Sequence, residues 1–283
     1  MLTIAGSDSG GGAGIQADLK AFASCAVHGT CALTAITAQN TVGVTSVHVI
    51  PPQVIIAQVR AVATDIGVDA VKIGMLGNLP TIKAVAEALD ELPSGTPVVL
   101  DPVMVAESGA ELLEPSAQAG LVELLLPRAT VATPNVPEAQ ALLRAQTGPP
   151  QPRPPDVQDL ARAVRELGPS VVIVTGGHRE QATDVFYDGE RLVEISGERY
   201  PGDAAHGSGC THSSVLAARL AAGDEPLEAA RLAKELAARA VREGLAEIGE
   251  GPGPVDILEL RRHRAQVIAG GVATSGSFGG PPT

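Results

Sequence analysis

The chain has 283 residues, of which 45% are hydrophobic and only 2% aromatic. Acidic residues outnumber basic ones by 32 to 20, and no basic run is interleaved with aromatic side chains, which disfavours a nucleic-acid partner. There is no signal-peptide pattern, no apolar stretch of the ~18 residues that a membrane span needs, and no CxxC pair among three cysteines, so we predict a cytoplasmic protein.

Short β-branched segments alternate with longer segments of helical periodicity along most of the chain. In chain order, strands are predicted over residues 2–5, 32–38, 70–73, 98–101, 130–133 and 171–175, and helices over residues 16–26, 53–65, 80–92, 116–125, 137–144, 157–167 and 213–222. The strands around Val99 and Val172 are continuously apolar, as expected of strands that are covered on both faces. The pattern predicts an α/β fold with a doubly wound sheet and right-handed crossovers.

We predict a single domain over residues 1–265. The proline-rich segment over residues 148–155 is predicted to be a semi-rigid surface loop inside that domain. Residues 266–283 are rich in glycine, serine and proline and are predicted to form a disordered tail.

A glycine-rich segment over residues 10–14 follows the first strand and precedes a helix. It fits no GxGxxG register, and the chain has no Gly-Lys pair for a Walker A loop. Because Ser7, Asp8 and Asp18 flank it, we interpret it as a substrate-side loop whose backbone amides approach a ligand. A flexible turn without a ligand is the alternative.

The turn His206-Gly207-Ser208-Gly209-Cys210-Thr211 precedes an amphipathic helical segment. Amides at a helix N-terminus bind anions, so the turn is a candidate phosphate site. The partial positive charge there is expected to lower the pKa of Cys210, giving a thiolate that accepts a proton from a substrate hydroxyl. The alternative is a capped helix start with a buried cysteine.

Polar residues follow several predicted strands, and ligands of doubly wound sheets bind at that edge. Asp101 follows one strand, and Asn135 and Glu138 follow the next, where they are candidates to hold Mg²⁺ or simply to cap a helix. Thr175 begins a Thr-Gly-Gly-His segment that offers a hydroxyl and amides to a phosphate. Gln39 offers a carboxamide to the edge of a heterocycle.

Eight segments carry a family resemblance, namely residues 4–8, 11–18, 37–41, 71–76, 101–104, 133–139, 176–178 and 206–211. In this order they resemble the hydroxymethylpyrimidine and hydroxymethylpyrimidine-phosphate kinases of thiamine biosynthesis, over about residues 2 to 258. The resemblance implies a ribokinase-like, three-layer α/β/α fold around a mostly parallel sheet. It also implies ATP-dependent phosphorylation of 4-amino-5-hydroxymethyl-2-methylpyrimidine phosphate and of the free alcohol, with Mg²⁺, a candidate monovalent cation and a homodimer.

The resemblance implies a role for each matching residue. Gly6, Asp18, Gln39, Met75 and Val103 would line the pyrimidine pocket; Cys210 would lie at the acceptor hydroxyl; Gly207, Ser208 and Gly209 would form the anion hole; Thr175, Gly177 and His206 would contact the nucleotide; and Asp101, Asn135 and Glu138 would organise the metal.

The chain departs from the family pattern on the nucleotide side. Ala204 and Ala205 stand where many members carry Asn-Thr, and Thr175 stands where many carry Lys, so weaker nucleotide affinity is expected. Two other readings stay open, a pyridoxal or pyridoxine kinase and a non-catalytic pyrimidine-binding relative. Gln39 together with Met75 favours the pyrimidine.

Overall fold

The computed structural model describes residues 1–147, 156–176, 182–200 and 204–261. The predicted loop over residues 148–155 and the predicted tail over residues 266–283 lie outside these ranges, as does Gly177.

The described residues contain nine strands and eight α-helices. The strands are β1 (Leu2–Asp8), β2 (Thr30–Gln39), β3 (Val44–Val49), β4 (Val71–Ile73), β5 (Val98–Leu100), β6 (Val131–Ala132), β7 (Val171–Val174), β8 (Asp184–Tyr187) and β9 (Leu192–Ile195). The helices are α1 (Gly14–Ser24), α2 (Pro52–Asp65), α3 (Leu79–Leu89), α4 (Gln118–Leu124), α5 (Val136–Thr147), α6 (Val157–Arg165), α7 (Ser208–Ala221) and α8 (Pro226–Arg242).

The strands form one sheet in the order β3-β2-β1-β4-β5-β6-β7-β8-β9. The six central strands, from β2 to β7 in this order, are parallel to one another, whereas β3, β8 and β9 pair in antiparallel fashion at the two ends. The predicted α/β fold with a mostly parallel, doubly wound sheet is confirmed.

Helices cover both faces of the sheet, as the apolar strands predict. Neighbouring residues of β5 pack on opposite sides, because Leu100 joins a core cluster with α2 to α6, whereas Val99 joins a second cluster with α1, α7 and α8. The core is aliphatic apart from a few rings such as Phe22 and Phe186. This arrangement gives the three layers expected of a ribokinase-like fold.

Four elements are absent from the sequence prediction, namely β3, β8, β9 and α8. The β8–β9 turn contains Asp188-Gly189, a strong hairpin signal, and Gly189 has a φ of +101°. Helix α8 begins at Pro226, and Glu225 accepts the Leu227 amide as an N-cap. Strands β3, β8 and β9 pair antiparallel at the two ends of the sheet, and a pattern of alternating strands and helices does not predict such pairs.

The parallel strands place their carboxyl ends along one edge of the sheet. Asp8 and Gln39 end β1 and β2, and Asp101, Asn135 and Thr175 come shortly after β5, β6 and β7. The ladder continues past the strands, because the Asp101 amide donates to Ile73 and the Thr175 amide donates to Pro134. Polar residues scattered in sequence therefore share one edge.

Within the described ranges, none of the helices has both the length and the apolar character of a bilayer crossing.

Candidate active site

A lysine ammonium is fully buried beneath the carboxyl edge. Lys72 of β4 places Nζ 2.8 Å from Asp18 Oδ1 and 3.9 Å from Asp101 Oδ2, and its side chain is 0% exposed. Burial opposes its charge, but Asp18, the Cys210 sulfur and Asp101 outweigh burial and raise the pKa of Lys72. Gly74 makes room, because a Cβ there would lie 2.9 Å from Lys72 Nζ. The site thus contains a fixed positive charge that sequence analysis overlooked.

Asp18 is the main partner of this ammonium. Its Oδ1 accepts Lys72 Nζ and, at 2.7 Å, Ser214 Oγ. Its Oδ2 accepts Thr3 Oγ1 at 2.6 Å, and the residue is 0% exposed. The carboxylate faces inward and accepts donors from three other elements, and this burial argues against the predicted contact of Asp18 with the pyrimidine.

Asp101 connects the buried ammonium to helix α7. The Ser213 hydroxyl lies 2.9 Å from Asp101 Oδ2 and 3.0 Å from the carbonyl oxygen of Gly209, so its single proton can be donated to either acceptor. Burial raises the pKa of Asp101, although Lys72 and Ser213 oppose that rise. Asp101 therefore lies directly beside the first turn of α7.

The predicted anion turn forms the start of α7. Gly207 is the N-cap in the left-handed region, with a φ of +83°, and its carbonyl accepts the Thr211 amide at 2.9 Å. The Ser208 amide donates to Ala205, so it is occupied inside the turn. Gly209 is exposed, and amides in a first helical turn have no partner within the helix. The structure therefore leaves Gly209, more than Ser208, open to an anion.

The Cys210 thiol does not have the lowered pKa that the helix start predicted. Burial raises the pKa of Cys210 to about 12; Asp18 and Asp101 add to the rise, and Lys72 and the Gly14 amide oppose it. The expected effect of the helix N-terminus is wrong here because burial and two nearby carboxylates are stronger. Cys210 is a neutral thiol near neutral pH.

Asp8 organises the glycine-rich loop over residues 10–14. Its carboxylate accepts the amides of Gly10 at 2.7 Å, Gly12 at 3.0 Å and Ala13 at 2.8 Å. Burial opposes the charge, but the His206 hydrogen bond and the loop amides prevail and lower the pKa of Asp8. The loop amides are therefore bound to Asp8, which corrects the prediction that they face a ligand.

His206 joins this loop to the anion turn. Its Nε2 lies 2.9 Å from Asp8 Oδ2, the residue is buried, and its ring packs so closely on Gly12 that a Cβ there would overlap it. The His206 main chain also pairs with Gly253 and Val255. The imidazole is thus bonded inside the protein, and the contact of His206 with the nucleotide stays a prediction.

The four remaining pyrimidine candidates lie at neighbouring strand ends. A Cβ at Gly6 would lie 2.8 Å from Met75 Sδ, so these two residues are in contact. Gln39 is linked to the glycine-rich loop through Ser9, whose Oγ donates to the Gln39 carbonyl at 2.6 Å and accepts its amide at 2.8 Å. Val103 follows Asp101 and is half-buried. The structure thus brings Gly6 and Met75 together and bonds the Gln39 main chain to Ser9, next to the glycine-rich loop.

Asn135 and Glu138 form a reciprocal helix cap at the start of α5. The Asn135 amide donates to Glu138 Oε2, and the Glu138 amide donates to Asn135 Oδ1, both at 2.9 Å. Burial and the neighbouring Asp101 raise the pKa of Glu138 to about 8, against the Asn135 and Met104 amides. In the described part of the chain, no three His, Cys, Asp or Glu side chains converge as a metal site. The carboxylates of Glu138 and Asp101 nevertheless fit a cation such as Mg²⁺, which binds one or two carboxylates together with phosphates.

A second buried cluster lies next to the end of β7. Asp184 accepts the Gly176 amide at 2.8 Å and Lys234 Nζ at 2.6 Å, and its other oxygen lies 3.4 Å from His212 Nε2. Thr175 precedes Gly176 and is half-buried. No sequence motif pointed to Asp184 or Lys234. For the first cluster, a charged residue, Lys72, within an apolar strand was the clearest sequence signal of a buried ion pair.

Comparison with known proteins gives consistent matches over nearly the whole chain. A family model for phosphomethylpyrimidine kinase matches residues 8–256. The hydroxymethylpyrimidine/phosphomethylpyrimidine kinase of Rhizobium meliloti (strain 1021) is 47% identical over 261 residues, covering 90% of this chain and 95% of that protein. The thiamine biosynthesis bifunctional protein ThiED of Geobacter sulfurreducens is 43% identical over 259 residues, covering 90% of this chain and 51% of that protein. The solved pyridoxal kinase from Staphylococcus aureus in complex with ADP has a TM-score of 0.81 at 35% identity, covering 92% of this chain and 94% of that one.

Replacement of Gly207 tests the backbone of the anion turn. Gly207→Ala is expected to destabilise the protein by about 1–3 kcal/mol, because its φ is positive and the new Cβ would overlap the Gly12 carbonyl oxygen. Gly209→Ala is the matched control, since nothing lies within 4 Å of its Cβ, and it should change stability by less than about 1 kcal/mol. Urea unfolding measures both, and equal effects would contradict the described turn.

Alkylation of Cys210 tests its protonation state. With a pKa of about 12, its iodoacetamide rate should rise about tenfold per pH unit from pH 7 to about 9.5 without reaching a plateau. Mass spectrometry of the Cys210 peptide separates it from Cys25 and Cys31. A plateau below about pH 8.5 would show a thiolate and restore the original expectation.

Proposed function

The chain belongs to the phosphomethylpyrimidine kinase family, and on this basis we propose that it transfers the γ-phosphoryl group of ATP to 4-amino-5-hydroxymethyl-2-methylpyrimidine phosphate. The product is the diphosphate, and the free hydroxymethylpyrimidine is a second acceptor. The chain is thus a phosphotransferase of thiamine biosynthesis. The observation that carries this proposal is the first turn of α7, which lies against Asp101 at the edge shared with Gly6 and Met75.

We propose that the first turn of α7 binds the transferred phosphoryl group. The charge that develops on its oxygens is stabilised by amides in that turn, chiefly that of Gly209, and by the partial positive charge of the helix N-terminus. These donors are fixed before the reaction, because Gly207 contacts the glycine-rich loop and Ser213 is bonded to Asp101. Positioning of this kind supplies most of the catalysis in phosphoryl transfer.

Cys210 would contact the acceptor hydroxyl as a neutral thiol. The acceptor oxygen bonds to the γ-phosphorus while the bond from phosphorus to the leaving oxygen of ADP breaks, and the hydroxyl proton passes late to an oxygen of the transferred group. A thiol with a pKa of about 12 orients the hydroxyl and does not act as a strong base. When the acceptor is a phosphate dianion, no proton has to be removed.

Asp101 and Glu138 would hold Mg²⁺, which when bound would neutralise charge on the nucleotide phosphates. Burial and repulsion from Asp101 raise the pKa of Glu138, and this supports a cation near the two carboxylates. Asn135 would contribute by fixing Glu138 through the helix cap. Thr175 and Gly177 would contact the nucleotide. Ala204 is buried and apolar, so its side chain would offer the nucleotide no hydrogen bond of the kind that an asparagine offers at this position in many family members.

A pyridoxal kinase is the second candidate, and the ADP complex of the S. aureus pyridoxal kinase at 35% identity supports it. The Rhizobium relative at 47% identity favours the pyrimidine. A non-catalytic relative would bind the pyrimidine without consuming ATP.

Turnover assays distinguish these candidates. With ATP and Mg²⁺, kcat/KM for the pyrimidine phosphate is expected to exceed that for pyridoxal at least about tenfold, a difference of roughly 1.4 kcal/mol in transition-state binding. Mass spectrometry should detect a pyrimidine diphosphate, and reactions without Mg²⁺ serve as controls. Preference for pyridoxal would overturn the substrate assignment, and pyrimidine binding without ATP consumption would overturn the kinase assignment.

We also propose that the protein is a homodimer. Strand β3 is an edge strand, and the β2–β3 hairpin exposes Ile36 at 48%, Val47 at 44% and Val49 at 37%, which supports a buried contact there. Sedimentation velocity is expected to give twice the 28.7 kDa chain mass. A single species of 28.7 kDa at micromolar concentration would contradict the proposal.

A further inference from the structure

The buried Lys72 ammonium has more partners than its own charge requires. Asp18 alone would neutralise it, at 2.8 Å, and Asp18 also receives hydroxyl donors from Thr3 and Ser214. Asp101 nevertheless lies 3.9 Å away on the other side, so one ammonium lies between two carboxylates. A buried ion pair contributes little stability compared with apolar residues of similar volume. Folding alone gives no reason for this arrangement.

The position of Lys72 relates it to the reacting groups. The Ser213 hydroxyl lies within hydrogen-bond distance of Asp101 Oδ2 and of the carbonyls of Gly209 and Cys210 in the first turn of α7. The ammonium therefore reaches that turn through its 3.9 Å ion-pair contact with Asp101 and through Ser213, and its charge acts on the Cys210 sulfur. With an exposure of 0%, Lys72 cannot touch a substrate.

We propose that Lys72 is a positioning residue for phosphoryl transfer, which fixes Asp101 and the first turn of α7 so that they meet the acceptor and the transferred group in the reactive arrangement. This rests on the proposed kinase function but not on the identity of the acceptor. The fixed charge of Lys72 favours the build-up of negative charge nearby in the transition state. Loss of this charge should therefore lower kcat more than it raises the KM for ATP or the KM for the acceptor.

A charge-neutral double variant separates this role from a structural one. Lys72→Met alone leaves Asp18 buried without its cation, and Asp18→Asn alone leaves the ammonium short of charge, so both should lower the melting temperature. Asp18→Asn/Lys72→Met removes one charge of each sign and leaves Asp101 beside the Ser213 hydroxyl, so it should melt above either single variant. Its kcat is expected to stay at least roughly thirtyfold below the wild type, with both KM values within about twofold.

The control is Lys83→Met, an exposed lysine of α3, which should change neither stability nor kcat. Recovery of wild-type kcat in the double variant would overturn the proposal and leave Lys72 as the counterion of Asp18. A raised KM at unchanged kcat would also overturn it, because Lys72 would then act in ground-state binding.

Gly74→Ala provides a second test that does not depend on the folding of the double variant. It keeps every charge but brings a Cβ to 2.9 Å from Lys72 Nζ, so the flexible ammonium must move. A lower kcat with unchanged KM values is expected, and an unchanged kcat would contradict the proposal. All variants are assayed with whichever acceptor the wild type phosphorylates, so a failure of the pyrimidine assignment is visible in the wild type alone.

Discussion

The buried ammonium of Lys72, held between Asp18 and Asp101, is the interaction on which the carboxyl edge of the sheet depends. Unpaired, each of these charges would be costly to bury, so the surrounding chain supplies hydroxyl donors from Thr3, Ser213 and Ser214. Strands β1 and β4, helices α1 and α7, and the residue after β5 are tied together by this network. The parallel sheet provides the common edge, and the ion network holds Asp101 and the first turn of α7 in place at that edge.

Helix α7 connects this buried network to the exposed first turn of the helix. Its adjacent residues Ser213 and Ser214 bind the two buried carboxylates, while Gly207, the N-cap of the helix, contacts the glycine-rich loop. Asp8 and His206 join the same loop to the start of the helix. The proposed anion site, made of first-turn amides, would therefore lie on a helix that is bonded to the buried network and packed on the glycine-rich loop, as preorganised electrostatic catalysis requires.

The sequence predicted the parts of the structure that follow from local pattern. Continuous apolar strands and helical periodicity predicted the parallel sheet, and the glycine-containing segment before α7 predicted the turn at which that helix begins. That this turn binds an anion stays a prediction. Long-range effects were not predictable in the same way. Asp18 lies next to the glycine-rich loop in sequence, but it is on the buried face of α1 with Ala17 and Ala21, so it faces Lys72. The helix N-terminus suggested a reactive Cys210, whereas the opposing burial comes from residues distant in the chain.

A crystal structure with the pyrimidine phosphate and a non-hydrolysable ATP analogue is the most direct measurement of how this edge works. We expect the γ-phosphate at the Gly209 amide, the acceptor group next to Cys210 Sγ, and Asp18 still bonded to Lys72 and Ser214 beneath them. A pyrimidine bonded to the Asp18 carboxylate, or a γ-phosphate bound away from the first turn of α7, would contradict this arrangement.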